Sequence, residues 1–185
     1  DNEKNYMDNP FYLGATAGRY ANRIKNGQFQ LGDESIQLKT NDNGHHLHGG
    51  PKGFSSQKWS VKKISDSKII FNLRSPDKDQ GYPGDINVKT IYELNKDNEL
   101  SIYYECIANQ DTIVNLTHHS YFNLSGENSD NILNHLLFIN AENYTEINSD
   151  LIPTGKIVSV NNTPLDFRKP IKIGKRISNN FKQLI

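Results

Sequence analysis

The sequence predicts an all-β fold, a single antiparallel β-sandwich or barrel over residues 1–185. Aromatic residues make up 10% of the chain, with 9 Tyr and 8 Phe, and aromatic side chains favour half-buried sheet surfaces. Short runs of alternating apolar and polar residues follow one another, with turn-forming residues between them. Helical periodicity is almost absent, and neither an internal repeat nor a linker divides the chain.

The clearest element is a hairpin over residues 86–108. Apolar side chains alternate with polar ones in two runs, 86–94 and 100–108, and the polar tetrad Asn95-Lys96-Asp97-Asn98 joins them. The remaining strands are predicted, in chain order, at 11–17, 29–38 with a tight turn at Gly32-Asp33, 58–64, 68–74, 113–124, 133–140 and 156–160. The best helical signal is one short turn at 18–23.

Composition excludes several classes of partner. Lys+Arg and Asp+Glu both number 21, so no net field attracts nucleic acid or an anionic membrane surface. No apolar run approaches the ~20 residues that span a bilayer. The single cysteine, Cys106, forms no internal disulfide and indicates a reducing, cytoplasmic location. Because the chain begins at Asp1 rather than Met, a leader or further N-terminal residues stay open.

Two adjacent histidines, His118 and His119, lie in the predicted strand 113–124. In an extended strand they point to opposite faces. His118 shares the apolar face with Phe122, which predicts a structural side chain that is hydrogen-bonded to backbone in the core. His119 shares a polar face with Tyr121, and we predict that it lines a wet cleft. A β-bulge in this run would exchange the two assignments.

A third candidate, His48, precedes Gly49-Gly50, and glycine lets backbone approach a ligand closely. For His48 a functional role and a solvated turn are evenly balanced, whereas His45 and His46 are predicted to be solvated turn residues. The segment His46-Leu47-His48 resembles the start of a cupin metal motif, but the completing Glu is missing. Since no other ligand spacing is present, we predict that no metal is bound.

Asn22 and Arg23 follow an apolar run. A guanidinium beside a carboxamide suits vicinal hydroxyl groups, although spacing alone makes Arg23 a surface residue. The segment 79–84 is predicted to be an ordinary loop. A Ser or Cys nucleophile is disfavoured, because no Gly-x-Ser-x-Gly elbow occurs and Cys106 falls on the apolar face of its strand.

Five segments of the chain form a specific combination. They are, in chain order, Gly14 to Ile24, Leu47-His48-Gly49-Gly50 with Gly53-Phe54 and Trp59, Gly81-Tyr82-Pro83-Gly84, Asn115 to Leu124, and Leu151-Ile152-Pro153-Thr154-Gly155. Taken together, these segments resemble the aldose 1-epimerase (galactose mutarotase) family. They occur in the family's order and at its approximate separations across essentially the whole chain, and the combination is highly specific.

The resemblance implies a large two-layered antiparallel β-sandwich, the supersandwich of galactose mutarotases. It also implies an isomerase that interconverts the α and β anomers of galactose, glucose and related aldoses, without a cofactor. His119 would be the general acid on the ring oxygen, and His48 would hydrogen-bond the sugar near that atom. Asn22 and Arg23 would bind sugar hydroxyls, and Tyr121 joins them as a substrate-binding residue. Positioned proton donors and acceptors each contribute about 10²–10⁴-fold to such a reaction.

Two departures from the family pattern stand out. The family usually has Asn where this chain has His118. The family's glutamate base, and a sugar-binding aspartate before it, are expected beyond Ile185, and its opening strands are expected ahead of Asp1. We therefore expect a truncated sandwich, roughly the central half of a mutarotase, that carries the acid half and needs the missing C-terminal part for activity.

The glutamates within the chain are poor substitutes for that base, because each is accounted for by an exposed strand face or a loop. They are Glu93, Glu99, Glu105 and Glu127. Two alternatives stay open. One is a non-catalytic carbohydrate-binding module on the same scaffold. The other is an epimerase for phosphorylated hexoses, which would need further basic residues at the cleft.

Overall fold

The computed structural model describes residues 3–6, 9–126, 128–177 and 180–184. The chain forms two compact units, Asp1–Ser120 and Tyr121–Ile185, which we describe separately. Within the described residues the regular structure is β-strand with short 3-10 turns and no α-helix. The all-β prediction is therefore confirmed, whereas the single domain over 1–185 stays a prediction.

The described residues of the first unit form ten strands and four 3-10 turns. Its strands are β1 (Thr16–Ala17), β2 (Arg23–Ile24), β3 (Gln28–Leu31), β4 (Glu34–Gln37), β5 (His46–Leu47), β6 (Ser60–Ser65), β7 (Lys68–Ser75), β8 (Ile86–Leu94), β9 (Leu100–Ala108) and β10 (Thr117–His118). Its 3-10 turns are Glu3–Tyr6, Lys25–Gly27, Phe54–Ser56 and Asp79–Gly81. The helical turn predicted at 18–23 is wrong.

Strands β6, β7, β8 and β9 form one antiparallel sheet in that order. The predicted hairpin over 86–108 is confirmed, and its register runs from Ile86 opposite Ala108 to Leu94 opposite Leu100. Alternation along β8 buries Ile86 and Val88 on one face, as its sequence predicts. Cys106 lies opposite Val88 on β9, the last strand in the order of this sheet, and it is exposed.

Three smaller strand pairs complete this unit. The β3–β4 hairpin turns at Gly32-Asp33, as predicted. Strand β1 pairs with β10, and β2 pairs with β5, both antiparallel. These two pairings join residues that are far apart in the sequence. They bring the segments around 16–24, 46–50 and 115–119 together within one unit.

The predicted strand over 113–124 is wrong in extent, since only Thr117–His118 is a strand. Phe122, predicted to lie on the apolar face of that strand, is 66% exposed. The physical reason is the shortness of the partner strand β1. Pairing ends with the two backbone bonds of His119, from its N–H to the Ala15 carbonyl at 2.9 Å and to its carbonyl from the Gly14 N–H at 3.0 Å. Among the described residues, no strand pairs with the rest of the predicted strand, 120–124.

The segment predicted to be an ordinary loop, 79–84, belongs to the core instead. Tyr82 and Arg19 are each 1% exposed. The Arg19 guanidinium donates to the carbonyls of Pro83 and Gly84, both at 2.8 Å, and to Ser75 Oγ at 2.7 Å. A buried guanidinium needs such acceptors, so this loop is a structural anchor for the segment that leads into Asn22 and Arg23.

The second unit contains strands β11 (Leu136–Leu137), β12 (Asn143–Ile147), β13 (Pro153–Ser159) and β14 (Ile171–Lys172), and the 3-10 turn Ile173–Lys175. Strand β12 pairs with β13, and β11 with β14. Ile152, Val160 and Phe167 are its buried apolar residues. The strand predicted at 156–160 falls on β13, whereas only Leu136–Leu137 of the predicted 133–140 is a strand.

Candidate active site

Close packing of glycine backbones places His48. A β-carbon on Gly49 would lie 1.6 Å from the carbonyl oxygen of Gly18, and one on Gly53 would lie 2.5 Å from the carbonyl oxygen of His48. Gly49 also has a φ of +91°, which favours glycine. The Gly-Gly sequence after His48 therefore has a structural reason, because no side chain fits where this turn meets the backbone of Gly18.

The backbone of Asn22 fixes the tautomer of His48. The Asn22 N–H donates to His48 Nδ1 at 3.0 Å, and the His48 N–H donates to the Asn22 carbonyl at 3.1 Å. Since Nδ1 accepts, a neutral His48 ring carries its proton on Nε2. His48 is then oriented as a hydrogen-bond donor through Nε2.

The surroundings of His48 keep its ring uncharged. Burial is the main cause that lowers the pKa of His48 to about 4, and the positive charges of His119 and Arg23 lower it further. Asp42 opposes them. At neutral pH, His48 is therefore a neutral donor rather than a cation.

His119 lies beside His48. Its backbone closes the end of the β1–β10 pair, because the Gly14 N–H donates to the His119 carbonyl at 3.0 Å. The imidazoles of His48 and His119 stand edge to face, with centroids 5.1 Å apart and an interplanar angle of 89°. His118 packs instead against Tyr92, 5.6 Å between centroids. The structure thus brings His119, and not His118, to His48.

Arg23 is half-buried in an ion pair. Its Nε lies 2.7 Å from Asp42 Oδ2, and the side chains are 17% and 25% exposed. This pair fixes the Nε edge of the guanidinium. Asn22, the residue before Arg23, is exposed. Asn22 contacts His48 through its backbone N–H and carbonyl. Arg23 follows Asn22 in the chain, so both predicted hydroxyl-binding residues lie next to His48.

The sequence reasoning missed Tyr12. Its ring lies 4.7 Å from the His48 ring and 5.7 Å from the His119 ring, measured between centroids. Tyr12, Asn22 and His48 all have left-handed backbone, with φ of 58°, 62° and 50°. Such conformations cost energy in residues other than glycine and occur often at functional sites. The only sequence signal for Tyr12 is its position two residues before Gly14.

Tyr121, a predicted substrate-binding residue, begins the second unit and is 62% exposed. Its role stays a prediction.

The prediction that His45 and His46 are solvated is wrong, because they are 7% and 0% exposed. His46 Nδ1 lies 2.6 Å from the Lys39 carbonyl, and His46 Nε2 lies 2.6 Å from the Tyr82 hydroxyl. The ring can satisfy both partners when Nδ1 donates and Nε2 accepts. The β2–β5 pairing places His46 opposite Ile24 and so turns this segment inward. Both histidines are structural.

Three of the four glutamates considered as substitutes for the base are engaged with other side chains. Glu93 pairs with Lys68 at 2.9 Å and Glu105 with Lys89 at 3.0 Å, while Glu99 accepts from the Asn95 amide. Glu127 lies outside the described residues. Asp42, the carboxylate whose charge raises the pKa of His48, is held in an ion pair by Arg23.

The described part of the chain contains no group of three or more His, Cys, Asp or Glu side chains arranged to hold a metal ion. In the same residues, no helix has the length and apolar character needed to cross a membrane.

Comparison with known proteins identifies the family. The family model described as aldose 1-epimerase matches residues 1–184, and the chain belongs to that family. It is 43% identical to an aldose 1-epimerase of Haemophilus influenzae, over 91% of this chain and 50% of that protein. It is 42% identical to a galactose mutarotase of Bos taurus, over 96% of this chain and 51% of that protein. The chain spans about half the length of these relatives.

Solved structures give the same result for the fold. A GalM/aldose epimerase homologue from C. elegans matches with a TM-score of 0.91 and 32% identity, over 98% of this chain and 55% of that one. A galactose 1-epimerase from Lactobacillus acidophilus matches with a TM-score of 0.90 and 30% identity, over 100% of this chain and 55% of that one. The predicted fold class is confirmed by these matches.

Proposed function

We propose that the full-length protein containing this chain is an aldose 1-epimerase that interconverts the α and β anomers of galactose, glucose and related aldoses. The observation that carries the proposal is the edge-to-face pair of His48 and His119, 5.1 Å apart. The locked tautomer of His48 and the adjoining Asn22 and Arg23 support it. Membership in the aldose 1-epimerase family supports the same reaction.

In the proposed reaction, His119 gives a proton to the ring oxygen while a base takes the proton of the C1 hydroxyl. The bond between C1 and the ring oxygen breaks, and C1 becomes an aldehyde. Rotation about C1–C2 presents the other carbonyl face, and the ring hydroxyl adds back to it. On closure, His119 regains its proton and the base returns the other, so nothing is consumed and no cofactor is required.

His48 serves this step as a neutral donor. A second cation beside a protonated His119 would repel it, and that repulsion is strong in a partly buried site. With Nδ1 bound to the Asn22 N–H, His48 offers Nε2–H to the sugar near the ring oxygen. Its lowered pKa keeps this donor uncharged over the physiological range.

We assign sugar hydroxyls to Arg23 and Asn22. The Asp42 pair orients the guanidinium so that its Nη groups can donate to neighbouring hydroxyl oxygens, and an exposed carboxamide can both donate and accept. Tyr121 is proposed as a further sugar contact. Because Asp42 is engaged with Arg23, we propose that the base is a carboxylate from a part of the full-length protein outside this chain. In this proposal the chain supplies the general acid of the site, and the rest of the protein supplies the general base.

Polarimetry of freshly dissolved α-galactose tests this proposal. We expect the full-length protein to accelerate the approach to anomeric equilibrium and the 185-residue chain alone to show no rate above buffer. The intact mass of each sample establishes which species is measured. A full-length protein that binds galactose saturably without accelerating exchange would instead be the non-catalytic carbohydrate-binding module.

Hexose 6-phosphates in the same assay distinguish the remaining alternative, and we expect no preference for them over the free sugars. A cytoplasmic location and the absence of a nucleic-acid partner also belong to the proposal. The single Cys106 and the equal numbers of acidic and basic residues support them.

A further inference from the structure

We propose that Tyr12 is a positioning residue whose ring holds the imidazoles of His48 and His119 in their edge-to-face arrangement and shields His48 from water. This inference rests on the proposed function and adds to it a residue outside the predicted site. Tyr12 is half-buried, and its ring is in reach of both imidazoles, 4.7 Å from His48 and 5.7 Å from His119. With the 5.1 Å between the histidines themselves, the three rings form one mutually packed cluster.

The geometry of the Tyr12 contacts suits positioning. The Tyr12 and His48 rings meet at 65° and the Tyr12 and His119 rings at 39°. An aromatic ring packed against two others limits their rotation about χ2, which is otherwise a broad torsion for histidine. Proton transfer depends strongly on such alignment, and a displacement of about 1 Å can cost on the order of 10²-fold in rate.

A tightly bonded turn presents the ring. The Asn9 side chain donates from Nδ2 to the Leu13 carbonyl at 3.0 Å and accepts from the Leu13 N–H at 2.8 Å. The Tyr12 N–H donates to the Asn9 carbonyl at 3.1 Å, and the Ala15 N–H donates to the Tyr12 carbonyl at 3.0 Å. These bonds hold Tyr12 at a φ of 58°, a conformation that is costly for a bulky residue.

The charged and titratable groups that face His48 come from each element packed against it. They are Tyr12 from the turn, Arg23 from β2, Asp42 from the segment before β5, and His119 from the end of β10. Burial has a larger effect on the His48 pKa than any of the charges, and the Tyr12 ring supplies part of that burial. The pKa of Tyr12 is itself raised, by burial first and then by Asp42, so its phenol adds no charge beside His48 at neutral pH.

Variants of the full-length protein test the ring and the hydroxyl group of Tyr12 separately. Tyr12→Phe keeps the ring, Tyr12→Ala removes it, and Tyr103→Ala removes an exposed aromatic from strand β9 of the same unit as a matched control. The readout is a ¹H–¹⁵N titration of the histidine rings, recorded without sugar. We expect the His48 pKa to stay near 4 in the wild type, in Tyr12→Phe and in Tyr103→Ala. In Tyr12→Ala it rises by about one unit or more toward the ordinary value of ~6.5.

Kinetics supply the second readout. The acid limb of the kcat/KM profile for galactose moves to higher pH in Tyr12→Ala but not in Tyr12→Phe, and kcat falls about tenfold or more. If Tyr12→Ala does not fold, Tyr12→Leu replaces the ring with a smaller apolar group and moves the titration in the same direction.

An unchanged His48 titration in the ring-deleting variants overturns the proposal. Equal effects of Tyr12→Phe and Tyr12→Ala also overturn it, because the hydroxyl and not the ring would then be the active feature. The titration requires no turnover, so a wild-type protein without epimerase activity would refute the proposed function and still leave the role of the Tyr12 ring decided.

Discussion

The carbonyl oxygen of Gly18 occupies the place where a β-carbon on Gly49 would begin, only 1.6 Å from it. The same oxygen accepts a hydrogen bond from the Phe54 N–H at 2.9 Å, so it cannot move away without losing a buried contact. Gly18 precedes Asn22 and Arg23, and Gly49 follows His48. The spacing between the two glycine backbones therefore sets the distance between the segment of Asn22 and Arg23 and the segment of His48.

Gly49→Ala should destabilise the protein strongly. The added methyl meets backbone rather than a flexible side chain, and alanine at a φ of +91° is strained as well. We expect a loss of about 3 kcal/mol or more in the free energy of unfolding, measured by urea titration of the full-length protein. Gly44→Ala is the matched control, since Gly44 has a φ of +81° with open space around it, and should cost only about 1 kcal/mol. Equal losses would contradict the steric explanation.

Replacing the two adjacent histidines should give unequal effects on activity. His119→Ala removes the proposed general acid, and we expect kcat for anomer exchange to fall about 10²–10⁴-fold. His118→Ala removes a ring that packs on Tyr92 and lies 3.1 Å through Nε2 from Ser120 Oγ. That variant should lose stability rather than the chemical step. Polarimetry of both variants compares their rates of anomer exchange. A larger kinetic defect in His118→Ala would assign the general acid to His118 instead of His119.

Asp42→Asn should weaken sugar binding more than catalysis. The change removes the anion that holds Arg23 Nε at 2.7 Å, so the guanidinium loses its fixed orientation toward the hydroxyls. We expect KM for galactose to rise about three- to tenfold, with kcat changed less. Glu105→Gln breaks an exposed ion pair with Lys89 on the central sheet and serves as the control. If Asp42→Asn instead abolished kcat while KM held, Asp42 would itself act in proton transfer.

The sequence predicted those parts of the fold that local patterns determine. The hairpin over 86–108 alternates residue by residue and turns at a polar tetrad, and the β3–β4 turn falls at Gly32-Asp33, so both appear where the pattern puts them. Alternation favoured His119 over His118, and the family resemblance assigned a role to His48. Both histidines do lie in one site.

Features that depend on pairing between distant parts of the sequence were not predicted, because local patterns do not indicate them. His46 is buried because β5 pairs with β2 and Tyr82 reaches its Nε2, and nothing in the segment itself signals that contact. The 79–84 loop became part of the core through Arg19, which is far away in the sequence. Tyr12 lies in the predicted strand 11–17, of which only Thr16–Ala17 is a strand. Its ring reaches the histidines from a turn with positive φ, and the local pattern does not indicate that turn.

Stability should fall as the pH is lowered from 7 toward 4. Burial lowers the pKa of His46, His48 and His118 in the folded protein, that of His48 to about 4. The unfolded chain, with histidine pKa values near ~6.5, therefore binds more protons across this window. The stabilisation is complete above pH ~6.5 and is lost by at most about 1.4 kcal/mol per pH unit for each histidine. Urea unfolding at several pH values measures this slope, and His48→Gln should reduce it by one histidine's share. An identical slope in the variant would mean that His48 titrates alike in the folded and unfolded states.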